Sequence, residues 1–81
     1  METIKLKFPE ERFKYIETKP LHSSQEIIDR DNCIITLKVK HTRDLDQIVL
    51  SYGPDVTVLS PSWFKKHIYH LVKKTLENYK K

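Results

Sequence analysis

One glycine and one cysteine are all that the 81 residues contain of either type. A single glycine cannot build a phosphate-cradling loop, which needs several residues free to approach the ligand by their backbone. The lone Cys33 excludes an intrachain disulfide and a zinc site made from a cysteine cluster. With no disulfide to sustain, a reducing cytoplasm is the expected compartment. Long hydrophobic runs are missing as well. Nothing approaches the roughly eighteen consecutive apolar residues of a membrane helix, so no membrane partner is expected. The opening Met1-Glu2-Thr3 leads straight into an alternating segment and shows no signal-peptide pattern.

Catalytic constellations are also missing. The histidines are His22, His41, His67 and His70. His67 and His70 are three apart, a spacing that can bring two ligands together on a helix. No cysteine or acidic residue stands at companion spacing, and Glu77 is about two turns beyond His70. They read as surface histidines, with no metal and no cofactor expected. Cys33 paired with a distant histidine is thin support for a nucleophile; it fits better as a small hydrophobe at a hairpin end. No enzyme activity is expected.

What is present is enough for one small domain across residues 1–81, at 38% hydrophobic content. The net charge of +4 is unevenly spread. Lys65, Lys66, Lys73, Lys74, Lys80 and Lys81 stand near the C-terminus against Glu77 alone. Glu26, Asp29, Asp31, Asp44, Asp46 and Asp55 occupy the middle. A basic end favours acidic partners or nucleic acid, or simply keeps a helix face solvated.

Periodicity sets the element order. Thr3 to Phe8 alternates, with Ile4, Leu6 and Phe8 on one face. Pro9 opens a helix through about Thr18, with Phe13 and Ile16 as its stripe and Tyr15 at the margin. Gln25 to Asp29 and Cys33 to His41 read as strands around the turn Asp29-Arg30-Asp31-Asn32. Ile35, Leu37 and Val39 share one face of the longer strand; Thr36, Lys38 and Lys40 share the other. Asp44 to Ser51 is helical, carrying Leu45, Ile48 and Val49, with Tyr52 completing the spacing. Val56 to Leu59 is a fourth strand. Ser62 to Tyr79 is a last helix with Phe64, Ile68, Leu71, Val72, Thr75, Leu76 and Tyr79 on one predicted core arc. The expected fold is α+β: a ferredoxin-like βαββαβ sandwich, one antiparallel sheet with two helices, plus an extra C-terminal helix.

The densest punctuation lies in Tyr52-Gly53-Pro54-Asp55-Val56-Thr57-Val58-Leu59-Ser60-Pro61-Ser62-Trp63-Phe64-Lys65. Gly53 is expected to end a helix in the left-handed conformation. Ser60 is expected to cap the last helix, with Pro61 in its first turn. This run resembles the Phe/Tyr-Gly-x-x-Val-x-Val-Leu-x-Pro-x-x-Leu-Arg segment of the C-terminal extension (WCX) domain of WYL-domain bacterial transcriptional regulators. Pro20-Leu21-His22-Ser23-Ser24-Gln25 looks like that family's His-x-Ser-Gln lead into its second strand, and Thr3-Ile4-Lys5-Leu6-Lys7-Phe8 like its opening strand. Phe64-Lys65 stands where Leu-Arg is usual, and a lysine does not present the bidentate fork of an arginine.

The resemblance implies a regulatory module excised from the C-terminus of a longer cytoplasmic regulator. Its partners would be WYL and winged-helix DNA-binding domains and a second subunit. Effector sensing and dimerisation are the implied roles, with a nucleic acid or small anionic molecule as effector. From the residues themselves, two surfaces stand out. Lys5, Lys7, Lys38 and Lys40 are expected together on the helix-free sheet face, where they could track phosphates without aromatic stacking. Trp63, Lys66 and His70 are the expected protein-contact residues of the last helix. A stand-alone nucleic-acid binder using the lysine face, and a purely structural dimerisation domain, are the alternatives.

Overall fold

Alternation at the N-terminus produces the strand around which the rest assembles. The computed structural model describes residues 2–80; Met1 and Lys81 lie outside it. The elements are β1 (Glu2–Lys7), α1 (Glu10–Thr18), β2 (Glu26–Asp29), β3 (Ile34–Val39), α2 (Arg43–Ser51), β4 (Thr57–Ser60) and α3 (Ser62–Glu77). A 3-10 turn at Gly53–Asp55 joins α2 to β4. The strands form one antiparallel sheet in the order β2-β3-β1-β4. The architecture among the described residues is α+β, with three α-helices and one sheet.

The register builds the core. Ile4 pairs with Leu37 and Leu6 with Ile35 across β1 and β3; Leu6 also meets Val58 on β4. Partners across a strand pair share a face, so these side chains form one apolar surface. Phe13 and Ile16 of α1, Leu45 and Val49 of α2, and Phe64 and Ile68 of α3 complete the same buried cluster. Phe8 follows β1 into it and meets the Tyr52 ring edge-on at 5.4 Å. Burial, with Tyr15 nearby, pushes the Tyr52 phenol pKa upward. Cys33 is buried at the end of the β2–β3 turn, with φ 59. Gly53 takes the expected left-handed conformation, with φ 54.

The lead into β2 is a hydrogen-bonded staple. The Gln25 side-chain amide donates to the Ile16 carbonyl at 3.0 Å and its oxygen accepts from the Leu21 N–H at 3.0 Å. The Ser24 N–H donates to His22 Nδ1 at 3.1 Å, and Ser24 Oγ accepts the Lys38 N–H at 2.9 Å. The His-Ser-Ser-Gln stretch therefore ties the end of α1 to β3, and its chemistry is architectural. Gln25→Ala leaves two partly buried backbone groups without partners. We expect it to cost about 1–3 kcal/mol, read as a lower urea midpoint at unchanged slope.

Several expectations are corrected. Ser60 is the last residue of β4, and Pro61 occupies the helix N-cap with no side-chain cap bond. The strand thus runs one residue further than its apolar alternation, because Ser60 pairs with Lys5. Of the predicted core arc of α3, only Phe64 and Ile68 are buried, and Leu71 packs at the edge. Val72, Leu76 and Tyr79 are exposed. Sixteen helical residues span about 24 Å, whereas the four residues of β4 span about 13 Å. The helix overhangs its sheet. Thr36, expected on the solvated face, is 8% exposed; it lies on a central strand with Glu26 and Lys5 directly across on either side. Lys40 lies beyond the end of β3, outside the sheet.

Candidate functional site

Three surfaces have chemistry to offer. The first is the open sheet face. Lys5 lies across from Thr36 and Ser60, Lys7 from Ile34 and Thr57, and Lys38 from Thr3. These three lysines share the face that the helices leave open, and Lys40 does not join them. The same rows carry acids. Glu26 continues the Lys5 row and Asp29 the Lys7 row. The Asp29 carboxyl is held below its ordinary value of 3.8, first by the Asn32 side-chain amide, then by the Asn32 N–H, with Lys7 adding a smaller attraction. It is therefore ionised at neutral pH. Two carboxylates among three ammonium groups leave this face only weakly cationic, which the lysine count alone did not reveal.

The second surface is the far half of α3. Tyr69, Val72, Leu76 and Tyr79 are 62%, 50%, 51% and 81% exposed. Tyr69, Val72 and Leu76, three and four residues apart, follow the a/d spacing of a helix that packs on another helix, and Tyr79 stands in the turn just past the helix end. Beside it, a cleft of ≈ 630 Å³ opens between α2, the Gly53–Asp55 turn, β4 and α3. Leu50, Val56, Ile68 and Val72 give it apolar walls, and Lys65 stands among its lining residues. Among the described residues no helix is long and apolar enough to cross a membrane, so this apolar strip belongs to a helix that does not span a bilayer.

The third surface gathers the start of α3 and the approach to α2. Thr42 is the N-cap of α2, its hydroxyl accepting the Leu45 N–H at 3.3 Å. That places His41 just before the cap and Asp46 in the first turn, positions that helix-entry geometry brings together. The His41 Nε2–H donates to Asp46 Oδ1 at 2.9 Å. The His67 Nε2–H, from α3, donates to Asp46 Oδ2 at 2.8 Å. The two imidazoles meet edge to face at 4.9 Å. Trp63 and Phe64 close around His41 at 5.2 and 5.5 Å.

The sequence-predicted contact residues separate here. Trp63, 42% exposed, belongs to this aromatic group. Lys66 is exposed, and His70 is exposed with its ring edge-on to Tyr69 at 5.6 Å. His67 pairs with Asp46 and not with His70. The companion carboxylate absent from α3 comes from a different helix, 21 residues away. The local signal that could have pointed to part of this group is the cap itself: histidine before Thr42, aspartate four after it.

No curated protein and no solved structure gives a significant match to the chain. A family model described as the WCX domain matches residues 1–76, nearly the whole chain. The β1 strand, the His22–Gln25 staple and the run from Gly53 through β4 into α3 all fall inside the matched span, and the chain belongs to the WCX domain family, a family of regulatory domains.

Proposed function

We propose that this domain is a non-enzymatic regulatory module of a bacterial transcriptional regulator, contributing to effector sensing and subunit association. In this reading it works beside WYL and winged-helix domains in one cytoplasmic chain. The observation that carries the association half is the strip Tyr69, Val72 and Leu76, with Tyr79 just past the helix end, all half or more exposed. The occupant that fits it is the same helix of a second copy, because a self-complementary stripe satisfies two-fold symmetry with one surface. The neighbouring cleft supports the sensing half: its ≈ 630 Å³ is within the range of about 300–1,000 Å³ typical of small-molecule sites. A ligand there shifts the DNA-binding domains only through differential affinity for two arrangements of the subunits.

The finer fold assignment belongs with this reading. Taken from its other edge the sheet runs β4-β1-β3-β2 with every neighbour antiparallel, an order that supports a ferredoxin-like sandwich with α3 as the addition.

Sedimentation velocity across a concentration series tests the association half. A monomer–dimer equilibrium is expected, and a strict monomer up to about 1 mM, the weak limit of specific affinity, overturns it. The sheet face makes a separate prediction. Fluorescence anisotropy with labelled single-stranded DNA should show no submicromolar binding even at low salt, and any binding should have a log–log salt slope no steeper than about −2, the limit for three neutralised phosphates. Tight binding with a steeper slope, abolished by Lys5→Glu with Lys38→Glu, would establish the lysine face as a nucleic-acid site.

A further inference from the structure

We infer that His41, Asp46 and His67 form a binding site for a divalent transition-metal ion, with zinc the best match. The inference is independent of the regulatory reading. The three side chains come from the β3–α2 connection, from α2 and from α3, and their ligand atoms all lie within 4.8 Å of one another. Two imidazole nitrogens and one carboxylate oxygen are a ligand set that suits zinc, with a fourth position left for water or an external ligand. Ligands about 2.0–2.2 Å from a tetrahedral ion stand roughly 3.3–3.5 Å apart. The two histidines bond opposite oxygens of Asp46, at 2.9 and 2.8 Å, so with one of those oxygens as the ligand its own histidine must draw back slightly. Any wider separation, at most 4.8 Å, must close by up to about 1.5 Å to reach that tetrahedral spacing.

The movement required is small and the right residues can make it. Asp46 is the most enclosed of the three, with its side chain 14% exposed, and anchors the site. His41 lies in the connection before the helix, its side chain 33% exposed, and can swing on its Cβ. In the metal-free protein each Nε2–H donates a hydrogen bond to Asp46. On binding, each neutral ring takes its other tautomer, its one proton moving to Nδ1 and the Nε2 lone pair turning to the ion. Protons compete with the metal for the same lone pairs, so affinity falls on acidification. Among the described residues neither Nδ1 has a protein hydrogen-bond partner. Such outer support is worth about 10–100-fold in affinity, so the site is expected to bind more weakly than one whose rings are held from behind. An ion here fastens α3 to α2 at the base of the overhanging seam.

Trp63 makes the test direct. It is the chain's one tryptophan, and its ring centre is 5.2 Å from that of His41. A paramagnetic ion such as Cu²⁺ or Ni²⁺ in the site should quench its emission in a saturable 1:1 titration, and excess Zn²⁺ should restore it. His41→Gln and His67→Gln should each weaken binding at least about tenfold, whereas the double variant His22→Gln, His70→Gln should bind like the parent. Zn²⁺ at a hundredfold excess over its dissociation constant should raise the thermal midpoint by roughly 10–20 °C. Quenching that does not saturate, or that survives both single variants, or that is lost with His22 and His70, overturns the site. Metal-free midpoints of the variants separate lost binding from lost fold. A folded variant that no longer binds supports the site, and if both single variants unfold, an absent Zn²⁺ shift in the parent overturns it.

Discussion

Phe64→Ala is expected to bring this domain close to unfolding at ordinary temperatures. Phe64 is fully buried, the first core residue of α3 and the largest wholly enclosed side chain. It joins the sheet core, and the rings of His41 and Trp63 stand against it at 5.5 and 5.7 Å. Removing the ring costs its transfer energy and leaves a cavity that a close-packed interior fills only in part. Together these amount to about 3–5 kcal/mol for phenylalanine. A domain of 81 residues holds a total of roughly 4–12 kcal/mol at ordinary stability per residue, so the loss takes about a quarter of it or more. Urea unfolding followed by circular dichroism should show the midpoint fall at constant slope. Leu76→Ala, on the same helix but 51% exposed, should shift stability by no more than about 0.5 kcal/mol. Equal losses at the two positions would mean that the stripe is engaged along its whole length. A loss under about 1 kcal/mol at Phe64 would remove that residue from the core.

That contrast marks where the sequence stops being informative. The strand faces were legible because period two leaves no freedom: Ile4, Leu6 and Phe8 must share a side, and they are buried together. The α2 stripe was legible for the same reason at period 3.6, and Leu45 and Val49 are core. The extent of burial along α3 was not legible. A helical wheel shows which residues share a face, not how far the partner surface reaches. Here β4 ends after four residues while the helix continues for sixteen. Ser60 defeats a local reading because cap chemistry and strand pairing compete for the same position, and pairing with Lys5 wins.

The candidate sites divide in the same way. Placing Lys5, Lys7 and Lys38 on one face needed only strand parity and the central β1–β3 pairing. Seeing Glu26 and Asp29 join those rows needed the β2 register, which shifts between Ile27 and Asp29 and so breaks simple alternation. The His41–Asp46–His67 group is the harder case. Its first pair is local, created by the Thr42 cap. Its third member arrives through the packing of α3 on α2, across 21 residues. Sequence spacing cannot express that contact, and searching for partners along α3 itself pointed to His70, which faces elsewhere.

The seam on α3 carries the other large effect. Val72→Glu with Leu76→Glu is expected to abolish self-association while leaving the monomer folded. Both positions are about half exposed, at 50% and 51%, so the isolated domain loses little packing. Across a two-fold interface the consequences multiply. Each copy brings two carboxylates to a contact built from Tyr69, Val72, Leu76 and Tyr79, so four like charges meet where apolar surface should be buried. Desolvating such groups without partners costs several kcal/mol. Even about 3 kcal/mol raises the dissociation constant roughly hundredfold. Sedimentation velocity should therefore show the parent dimerising and the double variant monomeric at every concentration, with thermal midpoints close together. An unchanged dissociation constant would place the interface elsewhere, with exposed Trp63 at the other end of the helix the next position to change. A lowered midpoint in the variant would show instead that Val72 and Leu76 already support their own domain, which their exposure argues against. The same substitutions bear on the cleft: Val72 lines it, so Val72→Glu should disturb a small apolar ligand and the dimer together, whereas Leu76→Glu alone should disturb only the dimer.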